Sequence, residues 1–428
     1  MRIELKADGL FRPSLAPQEV APEAKLPKPL LLEVKTRLIF AERLLATGPM
    51  AGDQGGRDSG TVKAVRWVRQ AASAINGEVR PTAAVLRPDL ALLIAEKGPA
   101  DGSVVVVSPV GPLTRSELEL VQGLGDPLIL GDLLPSSEVE PGQSWKLPSS
   151  AALGLTGYDE AKSNTLVASL ERVDDKVAVL RIEGTVEGSV LGGAGKVTCT
   201  GTARFNRESG LIEQLDLDRT ERRDPGPVEA GLDVKSTLTV RRRPSTLTAE
   251  LSDEGLKGFT LETGPQRRLL QLVSPDSKYN LLHDRRWHTY WDDPKLVVLK
   301  RVEGGKVLAQ CNLAAGPPAG KGRHQDPARF RDDIKRSLKQ RFVQFLGAGE
   351  VDGDPAGGFR YKVGVQGREG DLNVLWHYYL VASPEGDQLL ATFTLAADDA
   401  REFADQDAEM IASLQWYAPA AENPPPKP

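Results

Sequence analysis

The stretch Leu232-Asp-Val-Lys-Ser-Thr-Leu-Thr-Val-Arg241 decides the fold of the first half of the chain. Leu232, Val234, Leu238 and Val240 lie on one face of an extended backbone, and mostly charged or hydroxyl side chains lie on the other. The same period begins at Leu30 and recurs near 61–76, 84–97, 103–108, 164–173, 176–188 and 211–221. One apolar and one polar face per strand is typical of an antiparallel sheet covered on one side. We therefore predict a curved antiparallel sheet, or half-barrel, of about ten strands over residues 30–243.

The aromatic residues divide the 428-residue chain unevenly. Of its 23 Phe, Trp and Tyr residues, 16 follow residue 264, and so do all four His residues. This change in composition predicts a second domain over residues 265–417, joined to the first by a polar linker at 244–264. Prolines dominate both ends, so we expect a flexible lead-in at 1–29 and a Pro-rich tail at 418–428.

The second region mixes strand and helix periods, which predicts an α+β domain. Asp326-Pro327 is an N-cap followed by Pro at the first helical position, and Phe330, Ile334 and Leu338 follow at helical spacing. A further helix is predicted from about Asp398 to Ser413, with Phe403, Met410 and Ile411 facing inward. In the first region, Thr114-Arg-Ser-Glu117 has the form of a capping box at the start of a helix.

The order of elements in the second region resembles a known fold. Tyr279-x-Leu281 leads to Trp287, and then come a long helix, Phe359-Arg-Tyr361, Trp376-His-Tyr-Tyr379 and Ser413-Leu414. This order resembles the Mog1/PsbP-like α/β/α sandwich over roughly residues 269–417. Known members are largely non-enzymatic: the nuclear ones bind a small GTPase, and the photosynthetic ones are extrinsic subunits on a membrane complex. The resemblance implies an adaptor or accessory role.

The whole chain also resembles uncharacterised two-domain proteins of bacterial cell envelopes. The segments that carry this resemblance are Gly111-Pro-Leu-Thr114, Leu133-Leu-Pro135 with Gly142-x-x-Trp145, and Leu282-His-Asp-Arg-Arg-Trp-His288. It implies a location outside the cytoplasm, in the periplasm or cell envelope, and a cytoplasmic location is the alternative. The sequence contains neither a signal-peptide core nor an apolar run long enough to span a bilayer.

Catalytic and cofactor motifs are missing from the sequence. There is no Gly-x-Ser-x-Gly elbow, and neither Cys199 nor Cys311 has a plausible local base, so both are predicted to be buried core thiols. Gly192-Gly-Ala-Gly-Lys-Val-Thr198 lacks the spacing of a phosphate loop and is predicted to be a hairpin turn. We predict a protein that is not an enzyme, with no cofactor, catalytic residue or metal ligand. The net charge of −5 does not favour nucleic acid as a partner.

Two segments are candidate partner-binding sites. In the first, Arg285, Arg286 and Trp287 form a surface patch, or Trp287 anchors the core while the arginines stack on rings or pair with Asp284 and Asp292. The second is the helix over 327–341, which has six basic and two acidic residues. Its candidate residues are Arg329, Lys335, Arg336 and Lys339, which form a docking surface for an acidic partner or anionic head group, or a solvated helix face.

These patterns favour a non-catalytic, extracytoplasmic accessory or scaffold protein that acts by binding an unknown protein partner. A first alternative is a carrier of lipid or another apolar ligand, using the concave face of the β domain. A second alternative is a metal-dependent enzyme with a site that joins His283 or His288 to His377.

Overall fold

The computed structural model describes residues 1–13, 28–45, 62–76, 78–79, 85–98, 103–351 and 357–417. The chain divides into two compact units, Met1–Leu269 and Leu270–Pro428, close to the predicted start of the second domain at residue 265. Both units consist mainly of antiparallel strands, so the predicted mainly β class is confirmed. The predicted tail at 418–428 lies outside the described residues.

The first unit contains a 13-stranded antiparallel sheet. Its strands are β1 (Arg2–Arg12), β2 (Leu30–Leu45), β3 (Val62–Ile75), β4 (Glu78–Val79), β5 (Leu92–Lys97), β6 (Val104–Val107), β7 (Ser144–Lys146), β8 (Glu160–Asn164), β9 (Val167–Val173), β10 (Val177–Val190), β11 (Gly193–Asn206), β12 (Leu211–Arg223) and β13 (Gly231–Arg241). The strand order is β6-β5-β3-β2-β1-β13-β12-β11-β10-β9-β7, with β4 beside β3 and β8 beside β10. The half-barrel curvature stays a prediction.

Strand β1 corrects the prediction of a flexible lead-in over residues 1–29. It lies in the middle of the sheet, paired along its length with β13 and with β2. Ile3 and Leu5 pack against the core, whereas Glu4 and Lys6 face the other side, so the period of two already begins at residue 2. The end of the lead-in was predicted at residue 29 because of the prolines between 13 and 29, which follow this strand. Residues 14–27 lie outside the described part of the chain.

Three helices belong to the first unit: α1 (Arg115–Val121), α2 (Pro127–Leu130) and α3 (Ser149–Thr156). The predicted capping box is confirmed at α1, because the Thr114 hydroxyl accepts from Glu117 N–H and the Glu117 carboxylate accepts from Thr114 N–H. Side chains of α2 and α3 pack on the apolar face of β9–β13 in one core. Along these strands, protein side chains fill the apolar face.

The predicted polar linker, residues 244–264, packs on the first unit. Leu251 and Leu256 are buried in a cluster with Val65 and Ile94. Arg43 donates to the Leu251 carbonyl at 2.9 Å and pairs with the Asp253 carboxylate at 2.7 Å. Because the segment is mostly polar, the burial of these two leucines was not predicted from the sequence. Their burial depends on strands that are distant in sequence.

The second unit contains two antiparallel sheets. The strands are β14 (Leu270–Ser274), β15 (Tyr279–His283), β16 (Trp287–Asp293), β17 (Leu296–Glu303), β18 (Lys306–Gly316), β19 (Phe342–Glu350), β20 (Phe359–Glu369), β21 (Leu372–Ala382), β22 (Gln388–Ala396) and β23 (Gln415–Trp416). A three-stranded sheet has the order β14-β15-β23, and a seven-stranded sheet has the order β16-β17-β18-β22-β21-β20-β19.

Helices of the second unit cover both faces of its larger sheet. Helix α4 (Pro327–Leu338) buries Phe330, Ile334 and Leu338, as predicted, against one face of β20 and β21. Helices α5 (Ala400–Phe403) and α6 (Gln406–Ala412) pack on the other face. The predicted single helix over 398–413 is therefore wrong: it is broken at Ala404, which has φ 50° and ψ −131°.

Candidate functional site

Helix α4 and the turn after it form an exposed, positively charged surface. Asp326 caps α4 by accepting from Arg329 N–H at 2.9 Å, and the buried apolar side directs the basic side chains to solvent. We define the basic surface by five exposed basic side chains along α4 and at its C-terminal end: Arg329, Arg331, Lys335, Arg336 and Lys339.

Three of the predicted residues on this surface have uncompensated charges. Arg329, Lys335 and Lys339 are exposed and form no ion pair with any residue that the structure describes. Arg336 differs, because its guanidinium pairs with the carboxylate of Asp333. Oppositely charged side chains at i, i+3 or i+4 stabilise a helix when they pair, and three of these four residues form no such pair.

Two aromatic rings of β19 contact the charged groups of two basic side chains of α4. The Lys335 ammonium lies 5.4 Å from the centroid of the Phe342 ring, and the Arg331 guanidinium lies 5.0 Å from that of Phe345. The two rings contact each other edge to face, with centroids 4.8 Å apart. These cation–π contacts restrict the basic side chains, which lowers the entropy lost when a partner binds them.

Two β-bulges interrupt β19 and leave two apolar side chains exposed. Phe342, Gln344, Phe345 and Gly347 pair with β20, and the residues between them are skipped. The skipped residues are Val343 and Leu346, which are 53% and 52% exposed. Because β19 is at the edge of its sheet, with β20 as its neighbour, this pair of apolar side chains is accessible.

Lys339 sits in a strained backbone conformation at the end of α4. Its φ of 51° and ψ of −121° belong to a region that glycine adopts readily and that costs other residues about 1–3 kcal/mol. A glycine at this helix terminus would relieve the strain, yet the sequence has a lysine there. Keeping lysine rather than glycine at this position therefore lowers the free energy of unfolding.

The segment Arg285-Arg286-Trp287 does not form one surface patch. Trp287 is 1% exposed and contacts Phe393 and Phe403 edge to face, at centroid distances of 6.0 and 6.3 Å. This burial removes Trp287 from the predicted partner-binding surface and agrees with the alternative of a core anchor. Arg286 is exposed and pairs with Asp284 at 2.8 Å and Glu303 at 3.3 Å, whereas Arg285 is half-buried.

A buried carboxylate that the sequence analysis missed lies at the centre of the second unit. Asp407 is 1% exposed, and its Oδ2 accepts hydrogen bonds from His377 Nδ1, the Tyr379 hydroxyl and Lys362 Nζ, each at 2.7 Å. Its other oxygen, Oδ1, has no hydrogen-bond partner among the described residues. We refer to Asp407, His377, Tyr379 and Lys362 as the Asp407 cluster.

Burial and hydrogen bonding act in opposite directions on the pKa of Asp407. Burial raises this pKa, but the hydrogen bonds from His377, Lys362 and Tyr379 outweigh it, so the pKa lies below its ordinary value. Burial and the adjacent Asp407 charge raise the pKa of the Tyr379 hydroxyl, which therefore stays protonated and donates. The sequence did contain a signal for this cluster, since Asp407 stands four residues after Phe403 and three before Met410 on the buried side.

Two histidines named in the metal-site alternative, His377 and His283, contact other groups in the structure. His377 Nδ1 contacts Asp407, and His283 Nδ1 lies 2.9 Å from the carbonyl oxygen of Asp284. Within the described residues, no three His, Cys, Asp or Glu side chains are grouped closely enough to hold a metal ion. Cys199 and Cys311 are buried free thiols, as predicted. Gly192 lies in the turn between β10 and β11, which confirms the predicted hairpin.

Within the described part of the chain, no helix combines the length and the apolar character that crossing a bilayer requires.

Comparisons with known proteins show limited similarity. No protein family matches the chain, and no curated protein matches it. Among solved structures, cyanobacterial PsbP (CyanoP) from Synechocystis sp. PCC 6803 is similar over 35% of this chain and 93% of its own, with 15% identity and a TM-score of 0.27.

Two further structures match to a similar extent. A protein from Bacteroides thetaiotaomicron VPI-5482 is similar over 35% of this chain and 48% of its own, with 12% identity and a TM-score of 0.27. PA94, a Pseudomonas aeruginosa protein of unknown function, is similar over 35% and 99%, with 11% identity and a TM-score of 0.25. These values support a PsbP-like region at most, and they carry no argument about function.

Proposed function

We propose that this protein is a non-catalytic accessory protein that binds an acidic protein partner through the basic surface. The observation that carries the proposal is that Arg329, Lys335 and Lys339 are exposed along α4 and at its end and form no ion pair with any described residue. Complementary charged surfaces steer two proteins toward each other and fix the orientation in which they meet.

The charge on α4 indicates which partner this surface would attract. The helix and the turn after it have six basic residues and two acidic ones over residues 327–341, whereas the chain as a whole is negative. A positive patch on an anionic protein steers acidic partners toward that patch and keeps them away from the rest of the surface. The same charge disfavours a second copy of this chain that docks α4 against α4.

Site-specific photocrosslinking in the native host tests this proposal. p-Benzoylphenylalanine replaces Ala328, an exposed residue of α4 next to Arg329, in one variant, and in the control it replaces Leu372, a residue of β21 that is 64% exposed. We expect a specific adduct from position 328 with a protein that has an acidic surface. Equal adducts at both positions, or none at position 328, would count against the proposal.

Charge variants show whether that adduct depends on the basic surface. We expect R329Q/K335Q/K339Q to reduce the adduct at position 328 at least tenfold. The matched control K295Q/K306Q/R401Q removes three other exposed basic side chains of the same unit and should leave the adduct unchanged. Anionic vesicles that compete for the wild-type surface while no protein adduct forms would indicate a membrane partner instead.

We also propose that the protein acts outside the cytoplasm. This proposal rests on the resemblance of the whole chain to two-domain proteins of bacterial cell envelopes. Fractionation of the native host tests it, and recovery of the protein with cytoplasmic markers alone would contradict it.

A further inference from the structure

The first unit contains a cleft of about 880 Å³ whose walls are rich in arginine. This volume is in the range of pockets that hold small molecules. The described lining includes one acidic residue, Glu213, whose carboxylate already accepts from Asn206 Nδ2 at 3.0 Å and from Ser209 Oγ at 3.2 Å. The lining of the cleft also includes six arginines: Arg2, Arg69, Arg204, Arg241, Arg242 and Arg243.

A row of side chains across four adjacent strands builds one wall of this cleft. Arg2 of β1 pairs directly with Arg241 of β13, Arg241 with Gln214 of β12, and Gln214 with Arg204 of β11. Residues that are directly paired in an antiparallel sheet share a face, so three guanidinium groups of this row point to the same side. Strands lie about 4.8 Å apart, which places Arg241 and Arg204 on backbones about 10 Å apart.

The pairing of Arg2 with Arg241 is unfavourable by itself. Like charges at directly opposite positions of a sheet repel each other. Glu4 pairs with Arg2 at 2.6 Å and Asp216 with Arg241 at 2.8 Å, which offsets part of this repulsion. A local conflict of this kind is expected where a site, rather than the stability of the fold, determines the residues.

Two β-bulges bring further side chains to the cleft. On β3, Gln70 pairs with Ile39 and Val68 with Phe40, so Arg69 is the extra residue of a bulge. On β12, Glu213 is skipped in the same way between Gln214 and Ile212. A bulge changes the direction in which one side chain points, and such bulges are frequent beside binding sites.

Three of the arginines have uncompensated charges. Arg69, Arg204 and Arg243 are exposed and form no ion pair with any described residue. Arg242 differs, since its guanidinium lies 3.8 Å from Glu42 Oε1. Guanidinium groups donate paired hydrogen bonds that match the oxygen atoms of phosphate and carboxylate groups.

We infer that this cleft binds a small soluble molecule with at least two phosphate or carboxylate groups. Arg204 would contact one anionic group and Arg69 or Arg243 another. Arg241, whose guanidinium already donates to Asp216 and to the carbonyl oxygens of Leu215 and Val240, adds positive charge. The inference is independent of the proposed protein-binding surface, which belongs to the second unit.

Titration calorimetry of the full chain with inorganic tripolyphosphate and with citrate tests the inference. We expect saturable binding of one tripolyphosphate per chain, with no comparable heat from acetate. R69Q/R204Q/R243Q should weaken this binding at least tenfold, because a charge-assisted hydrogen bond contributes enough to change affinity by about that factor. These residues are exposed and unpaired, so the thermal midpoint of the variant should stay within a few degrees of the wild type.

A matched control separates a defined site from general attraction to positive charge. K162Q/R222Q/K235Q removes three exposed basic side chains elsewhere in the same unit and should leave the affinity unchanged. An equal loss in both variants, or no saturable binding of either anion, would overturn the inference. Binding to vesicles containing phosphatidic acid, without binding to tripolyphosphate or citrate, would overturn it as well and would indicate a lipid head group.

Discussion

His377 Nδ1 lies 2.7 Å from Asp407 Oδ2, and this hydrogen bond joins strand β21 to helix α6 across the interior of the second unit. The Asp407 carboxylate is ionised because its pKa is lowered, so it can only accept, and the proton must be on His377 Nδ1. Tyr379 and Lys362 donate to the same oxygen, so one carboxylate attaches α6 to two strands, β20 and β21. The arrangement predicts that Asp407 contributes strongly to stability.

Replacing this carboxylate should destabilise the protein. We expect D407N to lower the free energy of unfolding by about 3 kcal/mol, because it removes the charge that compensates Lys362 and weakens a buried network. The matched control is D405N, two residues earlier and exposed, which should change stability by about 0.5 kcal/mol or less. Urea denaturation measures both variants, and equal effects would contradict the structural role of the Asp407 cluster.

The lowered pKa of Asp407 also predicts a dependence of stability on pH. A carboxyl group whose pKa is lower in the folded than in the unfolded state stabilises the fold above the unfolded value. That contribution is lost as the pH falls below about 4, the ordinary range of aspartate, toward the folded pKa. We expect the free energy of unfolding of the wild type to fall more steeply between pH 5 and pH 2 than that of D407N. Parallel curves would show that Asp407 has no such linkage.

Arg66 makes a buried ion-pair network in the first unit. Its terminal nitrogens donate to both oxygens of Asp126, at 2.7 and 2.8 Å, and its Nε donates to Glu42 at 2.8 Å. Burial lowers the pKa of this guanidinium, but the charges and hydrogen bonds of Asp126 and Glu42 outweigh that effect and raise it. The network holds a permanent positive charge in a buried site.

The substitution R66K should cost about 2–3 kcal/mol, because a lysine ammonium cannot reproduce the paired contact with Asp126. R43K is the control, since Arg43 pairs with Asp253, whose side chain is 92% exposed, and should cost less than about 1 kcal/mol. Chemical denaturation compares the two variants. A cost for R66K no larger than that for R43K would show that the paired geometry is unimportant.

Lys339 and Ala404 allow stability and binding to be separated. Both follow a helix with φ near 50° and strongly negative ψ, so glycine at either position should raise the free energy of unfolding by about 1 kcal/mol. K339G should also weaken partner binding, because it removes a charge of the basic surface, whereas A404G should leave binding unchanged. Thermal unfolding and the crosslinking yield at position 328 measure the two effects. Loss of crosslinking in both variants would show that the weaker binding comes from the backbone change to glycine rather than from the lost charge.

Much of the architecture follows from local sequence patterns. The alternation in Leu232–Arg241 predicts a strand that the structure confirms as β13, and Asp326-Pro327 marks the start of α4. These predictions succeed because a period of two or of 3.6 fixes which side chains share a face, whatever the rest of the chain does. Strand β19 was missed for the same reason, since two bulges interrupt its alternation.

The sites were less accessible to sequence reasoning. The basic residues of α4 are visible in the sequence, but which of them form an ion pair depends on the folded arrangement of their neighbours. Arg2, Arg204 and Arg241 are more than 200 residues apart at their extremes, and only strand pairing brings them into one row.

The sequence alone thus determines the class of this protein: two units, mainly antiparallel strands and a basic helix, because these properties depend on neighbours in the chain. The tertiary structure alone decides that residues 2–12 lie at the centre of a sheet, that Trp287 is buried, and that Asp407 accepts three hydrogen bonds. The physical reason is that strand order and burial depend on contacts between residues that are distant in sequence. The free energies of these contacts cannot be read from a local periodicity.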